Sequence, residues 1–224
     1  LFNYTNGVFV AGLLFDNWRM TNPTVDSDIY ENNFDANYHV SGDPSERSGN
    51  ITYLVNGTEV VNQDVGLRIN GDSSRGWQSK SFRLVARGEY GNDALNYTFF
   101  NDTPVSVFNR LILRNSGGDF FDTMYRDAFA QELVKGTGLE TQAYQPTITF
   151  VNGEYWGILN LRERYDKYYF KNLYDIGETQ LDLLEDDLTP SEGDAVHYNN
   201  MATYLTNNSL AIQANFDYIK TQMD

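Results

Sequence analysis

The sequence predicts an α+β fold, in which an antiparallel sheet packs against one helix and is followed by further helices. Apolar and polar residues alternate in several short segments, which is the pattern of half-buried strands. Two Asn-Gly pairs lie between such segments, and Asn-Gly supplies the positive φ angles that a tight two-residue hairpin turn requires. Patterns typical of helices begin only after about residue 122.

Two hairpins and three further strands account for the predicted sheet. The hairpins cover 51–61, turning on Asn56-Gly57, and 147–162, turning on Asn152-Gly153. Strands are predicted at about 64–70, 80–86 and 109–113, with polar loops over 41–50 and 87–101.

The helices are predicted in the second half of the chain. Asp122 is the expected N-cap of a helix that runs to about Lys135, with an apolar face made by Ala128, Phe129 and Leu133. An aromatic-rich helix is expected over 166–174, and a helical stretch from about residue 194 to the end.

Composition excludes several functional classes. A net charge of −15 disfavours nucleic acid and anionic membranes as partners, because their phosphates are repelled. Cysteine is absent, which excludes disulfides and thiolate chemistry, and the two histidines stand in no triad or metal-binding pattern. The sequence contains no run of about eighteen apolar residues, which is the length that a membrane-spanning helix needs.

The segment 69–84 carries the most chemistry. A strand ends in a small polar loop, Gly71 to Gly76, and the next strand opens with Lys80. A Gly/Ser-rich turn followed by a strand lysine is one way to place backbone N–H groups and an ammonium over a polyphosphate. An ordinary hairpin with an exposed lysine has the same pattern, so the residues alone leave both interpretations open.

Further segments occur in the order seen in one known family. They are GVFVAGLLFDNWR (7–19), LILRNSGGDFFDTMYRDAFAQEL (111–133), QPTITFVNGEYWGILNLRERYDKYYF (145–170) and LDLLEDDLTPSEGDAVHY (181–198). With SKSFRL (79–84), these strings resemble the CotH-type kinases, a family named for a spore coat protein, from about Gly7 onward. The resemblance implies an atypical kinase-like fold and phosphate transfer from ATP, with Mg²⁺, to protein serines or threonines.

The resemblance also implies a division of the chain and a set of nucleotide-binding residues. Residues 1–50 would be a lead-in, 51–164 a kinase-like small lobe, and 165–224 the truncated start of a helical lobe. Lys80 would neutralise phosphates, with Glu132 (or Asp127) as its acidic partner, and Glu163, beside Arg162, would lie at the adenine edge. The turn above the phosphates would use Ser73, Ser74 and Gly76, while Arg75 and Arg68 would either add charge there or be surface arginines.

Two other motifs have less specific interpretations. In RNSGGD, we expect Arg114, Asn115 and Asp119 to hydrogen-bond the turn together rather than touch a substrate. The acids of 182–187 invite a metal interpretation, but their spacing does not match an EF-hand loop, and a solvated loop is the favoured alternative.

In this family the catalytic and metal-binding aspartates come late, in an Asn-x-Asp-type loop followed by an Asn and in a Trp-Asp-x-Asp segment. No Trp follows Trp156 in this sequence, so the second segment does not occur in it. We therefore assign no catalytic or metal-binding residue here and expect this fragment alone not to be a competent kinase. The first hypothesis is a piece of an exported or surface-associated bacterial kinase that acts on a surface or coat protein of basic or Ser-rich composition. The alternatives are a non-catalytic binding module (a pseudokinase) and a related enzyme with a different acceptor or transferred group.

Overall fold

The structure is a computed structural model that describes Tyr38, residues 40–76 and residues 79–223. Of the lead-in predicted over residues 1–50, residues 1–37 and 39 lie outside the described residues.

A six-stranded antiparallel sheet forms the centre of the fold, with the strand order β1-β2-β3-β6-β8-β7. Its strands are β1 (Arg47–Val55), β2 (Thr58–Asn70), β3 (Ser81–Val85), β6 (Arg110–Arg114), β7 (Tyr144–Val151) and β8 (Glu154–Glu163). Two short pairs stand beside it: β4 (Leu95–Asn96) with β5 (Val107–Phe108), and β9 (Leu183–Leu184) with β10 (Pro190–Glu192). Four helices follow the first strands: α1 (Arg126–Val134), α2 (Lys167–Tyr174), α3 (Val196–Asn207) and α4 (Gln213–Lys220). This arrangement confirms the predicted α+β class.

Both Asn-Gly turns form as predicted. Asn56 and Asn152 have φ of 51° and 53°, and the glycines that follow them have φ of 80° and 84°. These are the two positive angles of a type I′ turn. The first hairpin is longer than predicted, because 47–50, expected to be a loop, pairs with Asp64–Leu67 of β2. The predicted strand over 64–70 is therefore the second half of one long strand.

The two faces of the sheet differ sharply in chemistry. One face carries the hydrophobic core, with Leu67 and Leu84 in one buried cluster and Ile69 and Phe82 in a second that includes Tyr38. Because side chains alternate along each strand, the residues between these point to the opposite face. That face is polar and carries arginines from four strands: Arg68, Arg83, Arg110, Arg114 and Arg162.

Helix α1 begins later than predicted, and a different aspartate caps it. Asp119 accepts hydrogen bonds from the backbone N–H groups of Tyr125 and Arg126, both at 2.8 Å, and from the Thr123 hydroxyl at 2.6 Å. Asp122, the predicted N-cap, instead forms an exposed ion pair with Arg126 at 3.0 Å. The cap therefore reaches α1 from the preceding 3₁₀ turn, Gly117–Asp119, over a separation that sequence spacing does not indicate.

The apolar face predicted for α1 is only partly correct. Ala128 is buried, but Phe129 is 47% exposed and Leu133 is 66% exposed. The helix contacts the sheet through Asp127, whose carboxylate lies 2.5 Å from Arg162 and 3.2 Å from Arg114. A charged contact thus replaces the hydrophobic face that the spacing suggested.

The chain divides into two compact units, Leu1–Leu173 and Tyr174–Asp224. The first contains the six-stranded sheet, α1 and α2, and the second contains β9, β10, α3 and α4. The assignment of these parts to kinase lobes stays a prediction. None of the helices in the described part of the chain is long and apolar enough to cross a membrane.

Because the Asp119 carboxylate caps α1, we expect removal of its charge to lower the stability of the protein. Hydrogen bonds, from the Thr123 hydroxyl first and then from backbone N–H groups, hold the pKa of Asp119 below its usual value. The ionised carboxylate therefore stabilises the fold above about pH 4, and this contribution is lost as the pH falls further. We expect Asp119→Asn to lower the urea midpoint at pH 7, and the difference from the wild type to shrink on acidification below pH 4. Asp122→Asn is the matched control, and an equal loss in both variants would contradict the assignment of the cap.

Candidate functional site

Lys80 lies at the start of β3, directly below the turn that the sequence singled out. The turn is a 3₁₀ helix over Ser73–Gly76, between β2 and β3. The Lys80 ammonium is buried, with 4% of the residue exposed, and it donates a hydrogen bond to the Arg75 carbonyl oxygen at 2.8 Å. It also lies 3.8 Å from the centroid of the Tyr38 ring, a cation–π contact. Lysine and turn are therefore brought together as predicted.

Within the turn, Arg75 has a structural task. Its Nε donates to the Gly71 carbonyl at 2.6 Å, and its Nη1 donates to the carbonyls of Tyr38 and Val40 at 3.1 and 3.2 Å. Gly71 has a φ of 112°, and a Cβ there would lie 2.3 Å from the Ser74 hydroxyl oxygen, so only glycine fits. Arg75 thus fastens the turn to the 38–40 segment.

Arg68 does not lie free beside the turn either. Its guanidinium is buried and pairs with Glu46 at 2.5 Å and with Asp43. These acids belong to the segment that precedes β1, so Arg68 anchors that segment to the sheet. Both arginines thus make contacts within the chain, and a role for either in phosphate binding stays a prediction.

Asn115 fixes the backbone on both sides of Lys80. Its side-chain Nδ2 donates to the Ser79 carbonyl at 2.6 Å, and its Oδ1 accepts from the Ser81 hydroxyl at 2.8 Å. The Ser81 oxygen in turn accepts the Asn115 N–H at 2.9 Å, and Gly117 N–H donates to Oδ1 at 3.1 Å. The expected hydrogen bond within RNSGGD is present for Asn115, whereas Arg114 pairs with Asp127 and the Asp119 carboxylate caps α1. The bonds of Asn115 also position the strand that carries the lysine.

An apolar cavity of about 420 Å³ opens beside this strand. It begins at Ser79, the residue before Lys80, and aromatic and aliphatic side chains form most of its wall. Trp156 also packs against the Phe82 ring, with 6.1 Å between ring centroids. The lining residues are Ser79, Phe120, Met124, Tyr155, Trp156, Gly157 and Ile158. The chemistry of this wall suits a flat, largely apolar group such as a nucleotide base.

The acidic partner implied for Lys80 is placed elsewhere. The Glu132 carboxylate lies 3.5 Å from Lys135 on the same helix, and Asp127 pairs with the two sheet arginines. Lys80 lies with Tyr38 and Phe82 on the core side of the sheet, whereas α1 contacts the arginine side. The structure therefore brings Glu132 to Lys135 rather than to Lys80, and its role in nucleotide binding stays a prediction.

Sequence reasoning missed Arg83 and Arg110, and it did not group the sheet arginines on one polar face. Arg83 pairs in register with Arg68 and donates to Asn70 at 3.1 Å. Burial, together with the charges of neighbouring arginines, lowers the pKa of Arg83 to about 9. The signal was present in the sequence, because arginine stands between apolar residues in LRI (67–69) and FRL (82–84). Such alternation places each arginine opposite the core.

Glu163, predicted at the adenine edge, lines a different cavity of about 290 Å³. The residue is 3% exposed, and its Oε2 accepts the Ala143 N–H at 2.9 Å. Its Oε1 has no hydrogen-bond partner among the described residues. Burial, with the nearby negative charges of Asp102 and Glu140, raises the pKa of Glu163 to about 7. A triphosphate is not favoured in such acidic surroundings.

The acidic segment 182–187 behaves as a hydrogen-bonded surface turn. Asp182 accepts the Asp194 N–H at 2.8 Å, and Asp187 accepts the Thr189 N–H at 2.9 Å. The described residues contain no group of three or more His, Cys, Asp or Glu side chains placed to hold a metal ion.

We expect Asn115→Ala to destabilise the protein by about 3 kcal/mol, because Ser79, Ser81 and Gly117 would lose hydrogen bonds in a buried site. Chemical denaturation measures the change, and Asn101→Ala, at an exposed turn, serves as the control. A loss no larger than that of the control would show that Asn115 does not hold this strand.

The raised pKa of Glu163 leads us to expect that the stability of the protein depends on pH. Its raised pKa means that the folded state favours the protonated carboxyl, so stability from this group is present at pH 4.5 and is lost as the pH approaches 7. Glu163→Gln removes the titration, so between pH 4.5 and 7 the wild type should lose up to about 3 kcal/mol relative to the variant. Parallel pH profiles of the two proteins would contradict the raised pKa.

Comparison with known proteins gives one family match. The family described as CotH kinase protein matches residues 67–222, a stretch that includes Lys80, Asn115 and Glu163. No curated protein matches the chain. The family match covers well over half of the sequence and contains β3, α1 and the β7–β8 hairpin. The chain therefore belongs to the CotH kinase family.

Proposed function

We propose that this chain binds ATP and serves a kinase that transfers phosphate to serine or threonine hydroxyls of a surface or coat protein. The observation that carries the proposal is the buried Lys80 ammonium, held below the Ser73–Gly76 turn in a member of a kinase family. A strand lysine under a polar turn supplies positive charge for phosphates at a point where backbone groups are also close.

The residues present fit a nucleotide on two counts. Lys80 supplies the cation, and the apolar cavity that begins at Ser79 supplies a wall for the base. Asn115 keeps the two in a constant relation, because it hydrogen-bonds both Ser79 and Ser81. Preorganised positions of this kind lower the cost of ordering a ligand.

Magnesium fits less completely. The described residues hold no three-carboxylate group, so phosphate oxygens would have to provide part of the Mg²⁺ coordination. The metal would neutralise charge on the transferred phosphate, as in other phosphoryl-transfer sites. The residues of this chain would grip and orient the nucleotide.

A second candidate function is that of a binding module at a cell surface, in which the nucleotide site is vestigial and no longer binds ATP. It is favoured by the β7–β8 hairpin, where Ile148, Phe150 and Tyr155 are each more than 60% exposed. Exposed apolar and aromatic side chains grouped on one hairpin are typical of protein contact surfaces.

Nucleotide binding separates the two candidates and can be measured on the protein directly. ATP with Mg²⁺ at about one hundred times its dissociation constant should raise the unfolding free energy by about 2.7 kcal/mol, seen as a thermal shift. Lys80→Met keeps the aliphatic stem against Tyr38 but removes the charge, and it should weaken ATP binding at least tenfold. Lys171→Met, at an exposed position of α2, is the control.

Two results would overturn the proposal. The first is the absence of a thermal shift with saturating ATP and Mg²⁺. The second is an equal shift in the wild type and in Lys80→Met, since the ammonium would then have no part in binding.

A further inference from the structure

The cavity that Glu163 lines has a composition unlike that of a nucleotide site. Its wall contains four carboxyl side chains and a single ammonium, together with three tyrosines. The charged groups are Asp102, Glu132, Glu140, Glu163 and Lys135, and the tyrosines are Tyr125, Tyr144 and Tyr169. Excess negative charge next to aromatic rings is typical of sites that bind organic cations.

Most of these groups already have partners, and Glu163 is the exception. Lys135 pairs with Asp102 at 2.5 Å and with Glu132 at 3.5 Å, so the ammonium is engaged by two carboxylates. The Tyr169 hydroxyl donates to Glu140. Glu163 is almost fully buried, and its Oε1 lacks a hydrogen-bond partner in the described part of the chain. A buried carboxyl oxygen without a partner is costly, unless a ligand supplies a donor.

The geometry argues against a metal ion as that ligand. No three acidic or histidine side chains in the described ranges lie close enough together to hold a metal. The carboxyl groups are instead distributed around a space of about 290 Å³, which is large enough for an alkyl chain with an amine at its end. The ammonium donates up to three hydrogen bonds, and its stem can pack on tyrosine rings.

We infer that this cavity binds a primary alkylammonium group, whose nitrogen pairs with the carboxyl group of Glu163 while its aliphatic stem packs against the tyrosines. The ammonium comes either from a free diamine or from a lysine side chain of a partner. This assigns Glu163 a ligand other than the adenine edge that the family resemblance implied. The inference stands independently of phosphate transfer.

Binding is coupled to a proton. The charged and titratable groups that surround Glu163 come from several parts of the chain. They are Asp102 in the loop before β5, Glu132 and Lys135 at α1 and its end, Glu140, the three tyrosines Tyr125, Tyr144 and Tyr169, and the adjacent Arg162. Because the pKa of Glu163 is raised to about 7, its carboxyl is mostly protonated at pH 6 and must release the proton to accept a cation. Affinity should therefore rise about tenfold from pH 6 to pH 8.

Isothermal titration calorimetry tests the inference with three probes. These are putrescine, the peptide acetyl-Gly-Lys-Gly-amide, and the same peptide with norleucine in place of lysine. Binding of putrescine alone would identify a free diamine as the ligand, and binding of the lysine peptide would identify a partner side chain. The norleucine peptide should not bind, because it has the stem without the charge.

Glu163→Gln is the decisive variant, because glutamine keeps an acceptor for the Ala143 N–H but removes the charge and the titration. It should weaken alkylammonium binding at least tenfold and abolish the uptake or release of protons, measured by repeating the titration in buffers of different ionisation enthalpy. Glu154→Gln, at an exposed position near the far end of β8, is the control. If Glu163→Gln fails to fold, Glu132→Gln, at an exposed position, should still weaken binding and reduce its salt dependence.

Three outcomes would overturn the inference. The first is that neither putrescine nor the lysine peptide binds with a dissociation constant below about 10 mM. The second is that Glu163→Gln (or Glu132→Gln in its place) binds them as tightly as the wild type. The third is that adenosine, which lacks phosphates, binds at this cavity and competes with putrescine. None of these outcomes changes the expected loss of ATP binding in Lys80→Met. The proposal of ATP binding at Lys80 and the inference of alkylammonium binding at Glu163 can therefore fail separately.

Discussion

The site depends above all on the hydrogen bonds of one fully buried side chain, Asn115. It joins the turn after β6 to the residues on both sides of Lys80, at 2.6 Å to the Ser79 carbonyl and 2.8 Å to the Ser81 hydroxyl. A lysine directly before a short strand would otherwise move with the loop that contains it. Since a buried amide that loses one partner leaves others unsatisfied, the network favours a single arrangement of loop, strand and lysine.

A second constraint follows from the polar face of the sheet. Arginines there cannot be covered by an apolar helix, because their guanidinium groups require acceptors. Helix α1 meets this requirement with Asp127, which contacts both Arg114 and Arg162. The helix is therefore positioned by charge, and its larger apolar residues, Phe129 and Leu133, remain exposed. Packing by charge also explains why the hydrophobic spacing of α1 was a poor guide to its orientation.

An element of the fold could be predicted where adjacent residues determine it, and could not where residues distant in sequence do. The two Asn-Gly turns and the strand alternation are properties of a few adjacent residues, so both hairpins were predicted with correct turns. Asp119, by contrast, caps a helix that begins seven residues later, and 47–50 becomes a strand only because β2 lies beside it. At the site, Lys80 and its turn were predicted, whereas the surroundings of Glu163 depend on Asp102 and Glu140, which are distant in sequence.

The two cavities of the first unit differ in charge, and this difference argues for different ligands. An anion near Lys80 gains from the ammonium and from the absence of acids in the wall of the adjoining apolar cavity. The same anion at Glu163 would meet four carboxyl groups with one lysine to offset them, and electrostatic repulsion in a partly buried space is weakly screened by salt. A cation would instead be repelled by the Lys80 ammonium and attracted by the carboxyl groups around Glu163. The family resemblance implies a nucleotide against both residues, and for Glu163 this stays a prediction. The charges of the two cavity walls argue instead for a separate ligand at each.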